Sequence, residues 1–201
     1  MNCRVFALTA ILLGLAACGT SITLAQRSAA TPPGVDLSGQ WLLRRDAVES
    51  VEQIARAGAK AVGDEPIIRS RRETGTRPAR RSSGGLVHVF LETGAALKIT
   101  QTADGLFISF DRAVVEEYRF GEMREVNVGP VTAMRSSGWD GGSYIIQTLD
   151  DDGEILTERY RLQEDGRVLV RDVFIEKGDS RKLEVQQLFD RQEAPGEGVG
   201  R

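Results

Sequence analysis

The sequence predicts a mainly β chain, one antiparallel sheet closed into an up-and-down barrel or strongly curled, with about 9–10 strands and one inserted helix. Three observations lead there. From Leu97 to Asp190, short runs alternate apolar and polar residues, the period of a half-buried strand. Gly-containing turn pairs, several of them Asp-Gly, separate those runs at hairpin spacing. Only one stretch, Asp46 to Val62, has helical spacing of its apolar residues.

The chain opens with a leader. Arg4 is its only charge before Val5–Ala17, a run of 13 uncharged residues. That run is too short for a spanning helix, which needs about 20, and fits the apolar core of an export signal. Two cleavage readings stand. Thr23-Leu24-Ala25 before Gln26 has the small residues of an ordinary signal-peptidase site, giving a signal peptide over 1–25. Leu15-Ala16-Ala17-Cys18 resembles the lipobox of bacterial lipoproteins, which implies a signal peptide over 1–17 and a lipid on Cys18. Gly19 behind it implies, by the same resemblance, the outer membrane. The expected location is therefore the periplasmic side of the cell envelope, lipid-anchored, with a soluble periplasmic or secreted form as the alternative. Cys3 and Cys18 are the only cysteines, so the folded domain has no disulfide, thiolate metal site or cysteine nucleophile.

Residues 26–35, polar and small with Pro32-Pro33, read as a flexible tether. The domain spans 36–191. Leu37–Arg44 supplies a first strand. Asp46 with Glu49 forms a capping-box pattern, and Val48, Val51, Ile54, Ala55 and Val62 mark a helix over 46–62 that stops at Gly63 before Pro66. Residues 66–85 hold Arg69, Arg71, Arg72, Arg77, Arg80 and Arg81 against Glu73, with Pro, Ser and Gly and little to bury. This stretch reads as a flexible loop whose arginines could contact an anionic surface. Leu86–Glu92 is ambiguous between strand and helix. Strands follow over Leu97–Thr100, Leu106–Phe110, Val114–Phe120, Arg124–Val128, Val131–Trp139, Tyr144–Leu149, Ile155–Leu162, Val168–Ile175 and Leu183–Asp190. Residues 192–201 read as a disordered tail.

Charge and motifs exclude more than they identify. Without the leader there are 25 basic and 29 acidic residues, a net charge of −4, which with export argues against nucleic acid as a partner. An outer-membrane barrel needs aromatic girdles and a lipid-facing apolar band. Here aromatics are 6% of the chain, and Glu and Arg are expected on the outward strand positions. His88 is the only histidine and no nucleophile turn accompanies it. Asp150-Asp151-Asp152-Gly153-Glu154 lacks the carboxylates a calcium loop needs at both ends, where Thr148 and Arg159 stand. No catalytic residues, metal ligands or cofactor are predicted. Trp41, Trp139, Tyr118, Tyr144 and Tyr160 read as core or cavity lining.

Asp36-Leu37-Ser38-Gly39-Gln40-Trp41, Leu97-Lys98-Ile99-Thr100-Gln101, Gly138-Trp139-Asp140-Gly141 and Leu188-Phe189-Asp190-Arg191 together resemble a lipocalin-like family of small exported bacterial β-barrels. Gly39-x-Trp41 is similar to the G-x-W that opens lipocalin barrels. The resemblance implies a barrel floor in which Arg191 packs over Trp41 beside Gly39. It implies a non-catalytic envelope protein, a small-ligand-binding or structural module with an apolar small molecule or envelope component as partner. The alternative is a protein–protein or anionic-surface component acting through the arginine-rich loop.

Overall fold

The structure, a computed structural model, describes residues 22–45, 48–63, 86–111 and 115–193. Ten strands form one sheet: β1 Gly39–Leu43, β2 Ala96–Gln101, β3 Gly105–Phe110, β4 Val115–Arg119, β5 Glu122–Val128, β6 Val131–Asp140, β7 Ser143–Asp150, β8 Glu154–Gln163, β9 Val168–Lys177 and β10 Ser180–Gln192. Each corresponds to a strand expected from the alternation; β10 runs to Gln192, a little past the expected domain end. All pairings are antiparallel, in the order β4-β3-β2-β1-β10-β9-β8-β7-β6-β5. The first strand pairs with the last, Trp41 opposite Arg191. Across the sheet, the guanidinium of Arg171 on β9 lies 4.5 Å from the ring of Phe110 on β3, four strands away in the order. Only a sheet curled into a barrel brings those two together.

The curl leaves one seam. β4 and β5 are consecutive in the chain, yet they are the two edges of the sheet and do not pair with each other. Near their shared turn, side-chain and backbone bonds hold the neighbourhood together: Ser137 Oγ donates to the Arg119 carbonyl at 2.9 Å, and the Phe120 N–H to Asp104 at 2.8 Å.

Side chains alternate about the sheet. One core cluster sits at the Trp41 end, with Leu37, Leu97, Leu106, Trp139, Tyr144, Tyr160, Leu169 and Phe189. Phe120, Trp139 and Tyr144 meet there edge to face at 5.2–5.5 Å between centroids. All five aromatics singled out from the sequence are buried. A second cluster, with Val87, Phe90, Val126, Leu156, Val173 and Val185, sits at the opposite end.

That opposite end is covered by helices. α1, Val48–Gly63, comes within two residues of the expected span; the capping residue Asp46 lies outside the described residues. Its buried Ile54 joins the second cluster, and Ser50 accepts a hydrogen bond from Gln187 of β10 at 3.2 Å. The ambiguous segment is a 3-10 helix, Leu86–Phe90. Its period of three puts Val87 and Phe90 on one side, and both are buried. The arginine-rich stretch 66–85 lies outside the described residues.

The stretch read as a tether is bound to the barrel wall along Gln26–Ala30. Ser28 and Trp139 form an antiparallel bridge, Arg27 donates to Gln147 at 2.6 Å and to Asp140 at 3.2 Å, and Gln26 donates to the Gly121 carbonyl at 3.4 Å. Composition suggested a free linker because the strap is held through backbone and polar contacts rather than apolar ones. Gly138 makes room for it. A Cβ there would stand 2.6 Å from the Ser28 carbonyl oxygen and 2.9 Å from the Gly121 nitrogen, both main-chain atoms.

Candidate functional site

Two strands carry the same short pattern, Glu116-Glu117-Tyr118-Arg119 on β4 and Glu158-Arg159-Tyr160-Arg161 on β8. Spacing of two puts each Glu and its Tyr on one face of the strand. In both cases that face is the inside of the barrel, so the expectation that Glu and Arg sit on outward positions fails at these glutamates and at Arg135 and Arg171. Each pair is joined by an inward arginine, which makes the burial of a carboxylate tolerable.

On β8 the group is sealed. Tyr160 donates to Glu158 at 2.8 Å, and Arg171 donates to the same carboxylate oxygen at 2.5 and 2.9 Å. Arg171 also donates to Gln187 at 2.9 Å and to the Glu92 carbonyl at 2.9 Å. It is 0% exposed. Burial works against its charge, but the surrounding tyrosine and carboxylate outweigh that and hold it above its ordinary value. Burial pushes the Tyr160 phenol well above its ordinary value. With Phe110 and Tyr160 against the guanidinium, this network spans the middle of the barrel.

On β4 the equivalent group lies at the seam and is open. Tyr118 donates to Glu116, and Arg135 of β6 donates to Glu116 at 3.4 Å and to Thr148 at 3.1 Å. The Arg135 guanidinium stacks between Tyr118 at 5.3 Å and Phe90 at 5.5 Å. Its side chain is 6% exposed, while that of Glu116 is 27% exposed. Burial pushes the Tyr118 phenol well above its ordinary value. An open cleft of about 330 Å³ lies beside this group, lined by Phe90, Val126 and Val128 as well as by Glu116, Arg124, Glu125, Asn127 and Arg135. Arg124 stands opposite Arg135 in register. Such a like-charged cross-strand pair is unfavourable; Glu122 at 3.3 Å from Arg124 and Glu116 beside Arg135 offset it.

The residues singled out from the sequence fall elsewhere. Arg191 lies over Trp41 at 4.2 Å and donates to the carbonyls of Ser38 at 2.6 Å and Gly166 at 2.8 Å. A Cβ on Gly39 would approach Arg191 Nη1 to 2.9 Å and the Trp41 ring to 3.3 Å, so glycine is what lets the arginine settle on the ring. The three close the barrel end remote from the cleft. Asp150 Oδ1 accepts the backbone N–H groups of Asp152 and Glu154 at 3.0 and 2.9 Å, a turn role in the β7–β8 hairpin. Cys18 and Arg69, Arg71, Arg72, Arg77, Arg80 and Arg81 lie outside the described residues. Sequence reasoning missed the two Glu-x-Tyr-Arg patterns; their recurrence in two strand runs was the available signal.

No protein-family model and no curated relative matches the chain. Among solved structures it is similar to a secretory abundant heat soluble protein from Ramazzottius varieornatus, with 12% identity and a TM-score of 0.45 over 77% of this chain and 94% of that one. It is similar to a structure described as the REP1-NXSQ fatty acid transporter, with 13% identity and a TM-score of 0.45 over 79% and 98%. The apo lipid binding protein 8 of Caenorhabditis elegans gives 10% identity and a TM-score of 0.45 over 77% and 94%.

Proposed function

We propose that the barrel is a small-ligand-binding module whose site is the lateral cleft at the β4–β5 seam, and that its ligand is a small amphipathic anion. The observation that carries this reading is a nearly buried arginine opening onto a partly apolar cleft. Arg171 makes four hydrogen bonds within the chain and is sealed, whereas among the described residues Arg135 has bonds only from Nε and Nη1, the latter long at 3.4 Å. Glu116 can swing toward solvent and leave the guanidinium to a ligand carboxylate, which Arg binds in a planar fork. Phe90, Val126 and Val128 would cover the apolar part. The middle of the barrel, filled by the Arg171 network, is not the site.

Calorimetric titration tests this. Octanoate should bind saturably. Octanol, which lacks the charge, should bind at least about tenfold more weakly, since a hydrogen bond to a charged group is worth about 1.5–3 kcal/mol. The double variant Glu116→Gln/Arg135→Met keeps the charge balance and should abolish the preference. Absence of saturable octanoate binding, or equal binding of octanol, contradicts the reading.

Export and attachment to the envelope through Cys18 belong to the same proposal. They are supported by the uncharged run Val5–Ala17 ahead of that cysteine. The strap adds support for the upstream cut. Leu24 is buried and the Ala25 carbonyl accepts the Ser136 hydroxyl at 2.8 Å, contacts that cleavage after Ala25 would disrupt. Cys18→Ser should release the protein from membranes; a wild-type mature chain beginning at Gln26 would refute the lipid anchor.

A further inference from the structure

At the helical end of the barrel, three buried polar atoms find no partner among the described residues: Nδ1 of His88, Oδ2 of Asp150 and Oε2 of Glu154. Asp150 and Glu154 flank the β7–β8 hairpin, and the Leu86–Phe90 helix that carries His88 packs on both strands. Glu154 is 0% exposed, and its compensation is an ion pair with Lys182 Nζ at 2.6 Å. Two residues beyond His88, the Phe90 ring forms a wall of the cleft. Just beyond the helix the chain is tied to the barrel, where Arg171 donates to the Glu92 carbonyl at 2.9 Å. Glu92 is thus a fixed point about which the short helix can lift.

We infer that His88 is a proton-operated latch: neutral, it lets the Leu86–Phe90 helix seat on β7 and β8; protonated, it lifts that helix and removes the Phe90 wall from the cleft. Its functional consequence rests on the ligand-binding reading of that cleft. An imidazolium would have to sit in a half-buried place with no acceptor on Nδ1 and the Lys182 ammonium among its neighbours. Burial holds the imidazole below its ordinary value; Glu154 and Asp150 pull it up and Lys182 pushes it further down. The lifted helix therefore binds the proton more tightly than the seated one. The proton-linked bias toward the lifted form is absent well above the ordinary histidine value of about 6.5 and grows as the pH falls below it. Burial pushes the Asp150 carboxyl up. Its protonation favours the seated form, nearer the carboxylate range of about 4. Of the other charges on elements touching this helix, Arg135 of β6 is paired with Glu116, Glu158 of β8 is tied to Arg171, and Glu49, Glu52 and Arg56 of α1 are exposed.

Nuclear Overhauser contacts in the full chain read the latch without any ligand, so the outcome is independent of octanoate binding. The contact between the Phe90 ring and the Arg135 side chain, whose guanidinium lies 5.5 Å from that ring, should be lost between about pH 7.5 and about pH 5.5 in the wild type and retained in His88→Gln. Glu154→Gln, which removes a charge that attracts the proton to the seated imidazole, should move the wild-type loss to higher pH. A Phe90–Arg135 contact unchanged with pH in the wild type, equal loss in His88→Gln, or a downward move in Glu154→Gln would each overturn the latch.

Discussion

Arg171→Met should destabilise the barrel by about 3–5 kcal/mol, the cost of leaving a buried charge without its partner. Glu158 would keep its carboxylate in a site 4% exposed, with only Tyr160 donating to it. Gln187 and the Glu92 carbonyl would lose their donors as well. Removing both charges tests the mechanism. Replacing a buried ion pair with apolar groups of similar volume is often neutral or stabilising. Arg171→Met combined with Glu158→Leu should therefore be more stable than Arg171→Met alone. Urea unfolding followed by Trp fluorescence, read at unchanged slope, measures the wild type, the single variants Arg171→Met and Glu158→Leu, and the double variant. A double variant that loses the sum of both single effects would mean that the pair does not share one network.

Trp41→Ala should cost a similar amount, about 3–5 kcal/mol, because a large buried ring is removed and its space is not refilled. The ring is 1% exposed, donates to the Leu37 carbonyl at 3.2 Å and lies under Arg191. Arg191→Ala should cost less. Its guanidinium is at the surface, where a cation–π contact is worth about 0.5–1 kcal/mol, with some further loss from the stem that covers the ring. The two losses should be sub-additive, since both include the same contact. Full additivity would show that Arg191 contributes nothing through Trp41.

The strands were legible because a sheet with a filled inside and a wet outside forces a period of two, and because Gly141 and Gly153 mark turns that need positive φ, here +58° and +78°. The contact of Arg191 with Trp41 beside Gly39 was an expectation carried by the resemblance of Gly39-x-Trp41 to lipocalin barrels, not by any local pattern, since Arg191 lies at the other end of the domain. The seam was not legible. Val115–Val128, with Gly121 at its middle, has the same appearance as the paired hairpins; whether its two arms bond to each other depends on barrel closure, a property of the whole sheet. The inward charges were hidden for a related reason. Alternation assigns Glu and Arg to the wet face, and only the three-dimensional meeting of Glu158, Tyr160 and Arg171 shows that their charges are satisfied inside. The strap escaped because Pro32-Pro33 and small polar residues look like a linker whether or not their backbone finds partners on β6.

A surface reading of the seam has its own footing. Phe107, Val115, Met123 and Met134 are exposed on the strands beside it, and Val115 is 63% exposed. Such residues around a sheet edge suit contact with another protein. The cleft reading is distinguished from it by where a small anion acts.

Chemical-shift mapping of the isotope-labelled protein during an octanoate titration tests the central claim most directly. The account predicts saturable shifts confined to the backbone amides around Phe90, Glu116, Val126 and Arg135, with those of Tyr160, Arg171 and Gln187 unmoved. Shifts centred on Tyr160, Arg171 and Gln187 would place the ligand inside the barrel and contradict it, as would a titration that moves no amide.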